Sequence, residues 1–286
     1  MKYAVSCYSF SRLIGRKEIT DIECVQKAKE LGFDAIELVD GTNFYGDESL
    51  WMQHALDLKS AADKACIEIV SLCVGADLLK EGDEEINKLK RYVDIAASIG
   101  IKKMRHDITG GRSGKEYKSY SELVPMLSEK VRIIADYAES KGVMTMTENH
   151  GYFSQDSERI EMLYNAVNHK NFGVLCDLGN FMCADENPVD ALTRLAPFAV
   201  HVHAKDFIFK PFDAADPGAG SFRTRAGNYL RGTIVGHGAV PVKQCLYQLK
   251  KHGYDECLVV EFEGLEEVYE ALKIGLANLK RYWSEL

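Results

Sequence analysis

Short apolar runs of strand length alternate eight times along this chain with longer stretches of helical periodicity. That alternation limits the fold more than any other feature, because parallel strands joined by helices must bury both faces of their sheet. The strand-like runs are 3–7, 35–39, 67–72, 101–106, 143–148, 172–177, 198–203 and 257–262. The helical stretches cover 22–31, 50–65, 84–99, 121–140, 156–167, 188–195, 240–252 and 265–286. Thr20 stands where it can cap the first helix, and Pro188 where it can start a short one; Gly32, Gly100, Gly142 and Gly253 mark helix ends. Eight such units in 286 residues, about 36 residues each, predict one (β/α)8 TIM barrel spanning 1–286 as a single domain. A doubly wound sheet fits less well, since 7–15 holds one glycine and no phosphate-binding turn follows the first strand.

Hydrophobic residues make up 46% and charged residues 27%, enough apolar material for a full core and too much for a disordered chain. The net charge of −8 disfavours nucleic acid and anionic membranes as partners. The eight cysteines form no Cys-x-x-Cys pair and read as small buried hydrophobes in a reducing compartment. The first residues lack the apolar stretch of a signal peptide, and no run approaches the ~18 apolar residues of a membrane span. A cytoplasmic enzyme is the expectation.

One connection is unusually long. Residues 206–238 carry Arg223, Arg225, Arg231 and His237, and a connection of that length in a barrel is expected to cover substrate. Polar residues also gather where strands end. The fifth run ends in Glu148-Asn149-His150-Gly151, the sixth in Asp177-Leu178-Gly179-Asn180. The seventh reads His201-Val202-His203-Ala204-Lys205-Asp206, and the eighth carries Glu261. Carboxylate, carboxylate, imidazole and carboxylate on successive strands would converge on one barrel face. Three oxygen donors and one nitrogen suit Mn2+, Mg2+ or Co2+ better than a thiolate-seeking ion. His201 and His203 share parity, so spacing alone leaves both as the imidazole.

These motifs, with Gly236-His237-Gly238 and Val260-Glu261, resemble those of the xylose-isomerase-like sugar phosphate isomerase/epimerase superfamily, which includes ketose 3-epimerases, hydroxypyruvate isomerase and inosose dehydratase. The resemblance runs from Tyr3 to the final helix. It implies one divalent metal ion, Mn2+ first with Mg2+, Co2+ or Zn2+ as alternatives, held by Glu148, Asp177, His203 and Glu261. His203 is chosen over His201 because the family places its ligand just before the x-Lys-Asp step. The resemblance further implies that Glu148 and Glu261 exchange protons with a hydroxyketone whose enediolate the metal stabilises.

Candidate substrate-binding residues are His150, Lys205, Arg231, His237, Arg105, His106 and Glu37. Tyr8, Phe10, Phe44 and Phe153 are aromatics suited either to a sugar or to the core. The leading expectation is a metal-dependent sugar or sugar phosphate isomerase/epimerase with a small sugar or keto-sugar substrate. A lyase of the same superfamily, dehydrating a keto-inositol or cleaving an oxidised glycoside as C-deglycosidase subunits do, is the alternative. An apurinic/apyrimidinic endonuclease is more remote, because such enzymes use about three zinc ions and more histidines. Homo-oligomerisation and a heteromeric partner subunit both stay open.

Overall fold

The computed structural model describes residues 1–111 and 119–286. Its strands are β1 (Lys2–Ser6), β2 (Ala35–Val39), β3 (Glu68–Val74), β4 (Lys103–His106), β5 (Met144–Glu148), β6 (Phe172–Asp177) and β7 (Ala199–Ala204). They continue with β8 (Asp206–Lys210), β9 (Phe222–Arg223), β10 (Tyr229–Thr233) and β11 (Cys257–Val260). The helices are α1 (Ser11–Gly15), α2 (Asp21–Glu30), α3 (Trp51–Ala65), α4 (Glu84–Ser98) and α5 (Tyr120–Ser140). After them come α6 (Ser157–Val167), α7 (Asn180–Cys183), α8 (Pro188–Leu195), α9 (Val242–Lys251) and α10 (Val268–Ser284).

Eight strands close in the order β1-β11-β7-β6-β5-β4-β3-β2, all pairs parallel. The protein is a single (β/α)8 barrel. Its local signals act as their chemistry dictates. Thr20 accepts the Glu23 N–H while the Glu23 carboxylate accepts the Thr20 N–H, a reciprocal cap that fixes where α2 begins. Asn187 caps α8 and Pro188 supplies its first residue, where a missing N–H leaves nothing unsatisfied.

Strand alternation sorts side chains into two layers. Outward residues such as Val5, Ile36, Leu72, Met104, Val174, Val202 and Leu258 join the large apolar cluster beneath the helices. Inward residues fill the barrel in tiers, as packed barrels require. Ala4, Ala35, Cys257 and Val259 form one tier, and Cys73, Met146 and Leu175 another. All cysteines are free thiols and all but Cys66 are buried, as small apolar side chains would be. Among the described residues no helix is long and apolar enough to cross a membrane.

The long connection is not the irregular loop its length suggests. Much of it folds as a three-stranded antiparallel sheet in the order β8-β10-β9, with Gly232 opposite Phe207 and Thr233 opposite Asp206. Phe207 and Leu230 pack on Cys183 and so dock the sheet on the barrel. Asp206 ties its two ends together. Its carboxylate accepts N–H groups from Phe207, Gly236, Gly238 and Val240 at 2.8, 2.8, 2.9 and 3.0 Å. A Cβ on Gly238 would collide with that carboxylate, so only glycine lets the backbone approach so closely.

Candidate metal centre and active site

Backbone register brings the four expected ligands together. Asp177 on β6 is directly opposite His203 on β7, and β11 pairs Val259 with His203. The Glu261 N–H then bonds the Ala204 carbonyl at 3.1 Å, which sets Glu261 above the end of β11. Asn149 extends the β5–β6 pairing beyond the ladder. Its amide donates to the Asp177 carbonyl at 2.9 Å and accepts the Asp177 N–H at 2.8 Å. Ligand atoms of Glu148, Asp177, His203 and Glu261 all lie within 4.8 Å of one another, a grouping able to hold a metal ion.

His203 is oriented from below. Its Nε2 lies 2.9 and 3.1 Å from the two oxygens of Glu37, which also accepts from Ser71 and contacts His201 Nε2 at 3.0 Å. The opposite ring atom, Nδ1, faces Glu261, Glu148 and Asp177 at 3.5, 3.7 and 3.8 Å. A carboxylate on one imidazole nitrogen leaves the other free to ligate. His203 Nδ1 is buried without a hydrogen-bond partner, and so is Asp177 Oδ2. Asp177 Oδ1, by contrast, accepts the Gly179 and Asn180 N–H groups at 2.8 and 2.9 Å. The two buried atoms, His203 Nδ1 and Asp177 Oδ2, lack a hydrogen bond, with Lys205 Nζ 3.4 Å from the second, and both face a common point that fits a cation.

Cations and amides hold the carboxylates. Arg105 contacts Glu148 at 2.5 Å and Asp107 at 2.8 Å, and Asn180 donates to the second Glu148 oxygen at 2.9 Å. Lys205 lies 2.6 Å from Glu261 and 3.4 Å from Asp177. His150 Nδ1 meets Asp107 at 2.9 Å, and its imidazole is half-exposed at the cavity wall.

These contacts set the ionisation of the site. Burial opposes charge on Glu148 and Glu261, but Arg105 with His203, and Lys205 with His203, hold both carboxyls below their usual range. Burial pushes Asp177 up to about 6, against the pull of Lys205 and with help from Glu148 and Glu261. Burial also works against a charged His203, yet Glu37 and Glu261 raise it well above the usual imidazole value. Asp107 falls to about 2 despite burial, because Arg105 and His150 favour its anion.

A cavity of about 470 Å3 opens above the cluster, lined by Tyr8, Asp40, Gly75, Arg105, His150 and Glu263 among others. Arg105, His150 and Lys205 therefore stand where a substrate would. The remaining candidates do not. Glu37 is fully buried under His203, so it holds that imidazole rather than reaching the cavity. His106 turns to the outer face of β4, its ring 6.4 Å from that of Phe172, and burial lowers its pKa to about 4. Arg231 lines a separate cavity of about 170 Å3 with Ile208, Lys210 and Tyr229. His237 is exposed, and the glycines beside it serve the Asp206 anchor. Phe10, Phe44 and Phe153 are core residues, whereas Tyr8 lines the cavity. Asp107 and Asn180 escaped the sequence reading. Their signal was position, beside Arg105 at one strand end and after Asp177 at another.

The model of the xylose isomerase-like TIM barrel family matches residues 25–282. The chain is 30% identical over 280 residues to the rhizopine catabolism protein MocC of Rhizobium meliloti, covering 91% of this chain and 80% of that one. It is 24% identical over 261 residues to inosose dehydratase of Clostridium beijerinckii, covering 86% and 83%. A 26% match to YihM of Escherichia coli covers 62% of this chain and only 49% of that protein, so this chain aligns with about half of YihM. Among solved structures, the probable 3-DHS dehydratase AsbF from Bacillus anthracis superposes with a TM-score of 0.76 at 21% identity, covering 98% and 99% of the two chains. The IOLI protein, solved with a zinc atom, gives 0.75 at 18% over 100% and 99%. A Mycobacterium smegmatis barrel in complex with magnesium gives 0.69 at 17% over 92% and 88%. By the extent of the family match and the closure of its eight parallel strands, the chain belongs to the xylose isomerase-like TIM barrel family.

Proposed function

We propose that the chain is a divalent-metal-dependent enzyme that moves a proton at the carbon beside the ketone of a polyhydroxylated substrate, with epimerisation or isomerisation as the outcome. Glu148, Asp177, His203 and Glu261 would hold the cation. Three carboxylates and an imidazole suit Mn2+ first, then Mg2+, Co2+ or Zn2+; zinc and magnesium occur in solved structures of similar fold. When bound, the ion supplies Lewis-acid stabilisation of the charge that develops on the carbonyl oxygen.

One observation carries this reading. Glu148 and Glu261 reach the same centre from strands separated by β6 and β7, and each has its own cation, Arg105 or Lys205. Each carboxylate is kept ionised and can act as a base. One takes the proton from one face of the carbon, and the other returns a proton to the opposite face. His150 and Lys205 orient the substrate's hydroxyls.

A dehydratase is the second reading. It is favoured by the relatives named inosose dehydratase and by His150, whose imidazolium Asp107 stabilises at the cavity wall. Such a group can protonate a departing hydroxyl, which leaves as water while the base keeps the carbon's proton. The test is NMR in D2O with metal-loaded protein and a panel of ketoses, ketose phosphates, inosose and oxidised glycosides. Deuterium entering beside the carbonyl supports proton abstraction, and the product separates epimer from alkene. Neither deuterium exchange nor a dehydrated product with any of them would overturn both readings.

A further inference from the structure

We infer that Asn180 is a positioning residue of the candidate metal centre, and that its side-chain amide aims Glu148 and Lys205 from between them without touching substrate. The inference rests on the proposed role of Glu148, Asp177, His203 and Glu261 in holding a cation. Asn180 is buried and is not among the residues lining the cavity. Its amide nitrogen donates to Glu148 Oε1 at 2.9 Å, and its amide oxygen accepts Lys205 Nζ at 3.4 Å. Only one orientation of the amide permits both, because a carboxylate accepts and an ammonium donates. Lys205 in turn lies 2.6 Å from Glu261. One neutral side chain therefore joins the two carboxylates proposed to carry protons, in the order Glu148, Asn180, Lys205, Glu261.

The oxygen that Asn180 holds is the one facing the cluster. Glu148 Oε1 lies 3.7 Å from His203 Nδ1, whereas Oε2 is taken by Arg105. Arg105 alone would fix one end of the carboxylate and leave the other free to turn. Asn180 fixes that second end and leaves Oε1 a lone pair for a cation. The backbone of Asn180 is held independently of its side chain. Its N–H donates to Asp177 Oδ1 at 2.9 Å, and its carbonyl accepts the Gln155 amide at 2.8 Å. Gly179 before it permits the close approach to the end of β7, since a Cβ there would stand 2.9 Å from the Lys205 carbonyl oxygen. None of these backbone contacts requires the Asn180 side chain, so a substitution there reports on the amide.

The test is chelator competition for Mn2+ with Asn180→Ala and Asn180→Asp, which needs no turnover. Asn180→Ala should weaken metal binding by about tenfold to a hundredfold, with the circular dichroism of the metal-free chain unchanged. Asn180→Asp separates aim from charge. An added negative charge beside a divalent ion would by itself tighten binding, as ligand charge does in cation sites. An acceptor set against Glu148 Oε1 in place of a donor should instead weaken it by at least about tenfold. Wild-type affinity in folded Asn180→Ala, or tighter binding by Asn180→Asp, would overturn the inference. Should one variant fail to fold, the other decides. A wild-type chain that binds no divalent ion would sink the proposed function itself, whereas ion binding indifferent to Asn180 sinks only this inference.

Discussion

Glu37 Oε1 lies 2.9 Å from His203 Nε2, and that contact decides which nitrogen of His203 faces the three carboxylates. The pair is buried beneath the cavity floor, so the imidazole has one orientation and one open nitrogen.

Glu37→Gln should therefore weaken metal binding by about tenfold to a hundredfold, although Glu37 is not a ligand. Chelator competition measures the affinity, with circular dichroism to confirm the fold. Wild-type affinity in the folded variant would remove Glu37 from any positioning role.

Metal binding should be coupled to proton release. The metal-free His203 carries a proton well above the ordinary imidazole range, and that proton must leave for Nδ1 to ligate. Calorimetry at pH 7.5 in buffers of different ionisation enthalpy should show about one proton released per ion. Asp177, raised to about 6, adds a second release below that pH. A carboxyl that binds its proton more readily folded than unfolded makes the metal-free chain lose stability as pH rises through about 6. The rise in Tm on adding metal should accordingly be larger at pH 7.5 than at pH 5. A rise independent of pH contradicts this assignment.

Glu148→Gln and Glu261→Gln should each lower turnover by at least about a hundredfold while the chain stays folded. Full activity in either variant excludes a mechanism in which both glutamates carry protons.

Removing Arg105 has a different signature. Arg105→Met strands the buried Glu148 and the half-buried Asp107 without their shared cation. The expected loss is about 3 to 5 kcal/mol of folding stability, read by urea denaturation. A loss below about 1 kcal/mol would show that Asn180 and His150 suffice to hold those carboxylates.

Gly238→Ala should loosen the sheet formed by β8, β9 and β10, because the new methyl meets the Asp206 carboxylate. Limited proteolysis within 206–238 should speed up before global unfolding does. An unchanged cleavage rate would mean that Phe207 and Leu230 alone secure the segment.

Much of this architecture was readable from local chemistry. The runs 35–39 and 172–177 and the helix 188–195 have the bounds seen in β2, β6 and α8, because apolar length and a proline start leave little choice. The antiparallel pairing within 206–233 was not readable, since its register depends on contacts such as Phe207 with Leu230 that no short window contains. The clustering of Glu148, Asp177, His203 and Glu261 was legible because carboxylates and an imidazole interrupt apolar strands at matching ends. Parity could not separate His201 from His203. Depth does, since His201 bonds Ser71 and Glu37 below the cluster while His203 reaches it. Glu37 looked like one more strand carboxylate because its histidine partners lie more than a hundred residues away, at 201 and 203.

The tier of Cys73, Met146 and Leu175 fills the barrel beneath Glu148, Asp177, His203 and Glu261. Among the described residues this tier and that of Ala4, Ala35, Cys257 and Val259 pack the barrel interior, so whatever enters from the mouth faces a filled core rather than a pore. Arrival and departure share one doorway, so a spent molecule must clear it before a fresh one can take its place, and anything that lingers at the mouth throttles both directions of traffic at once.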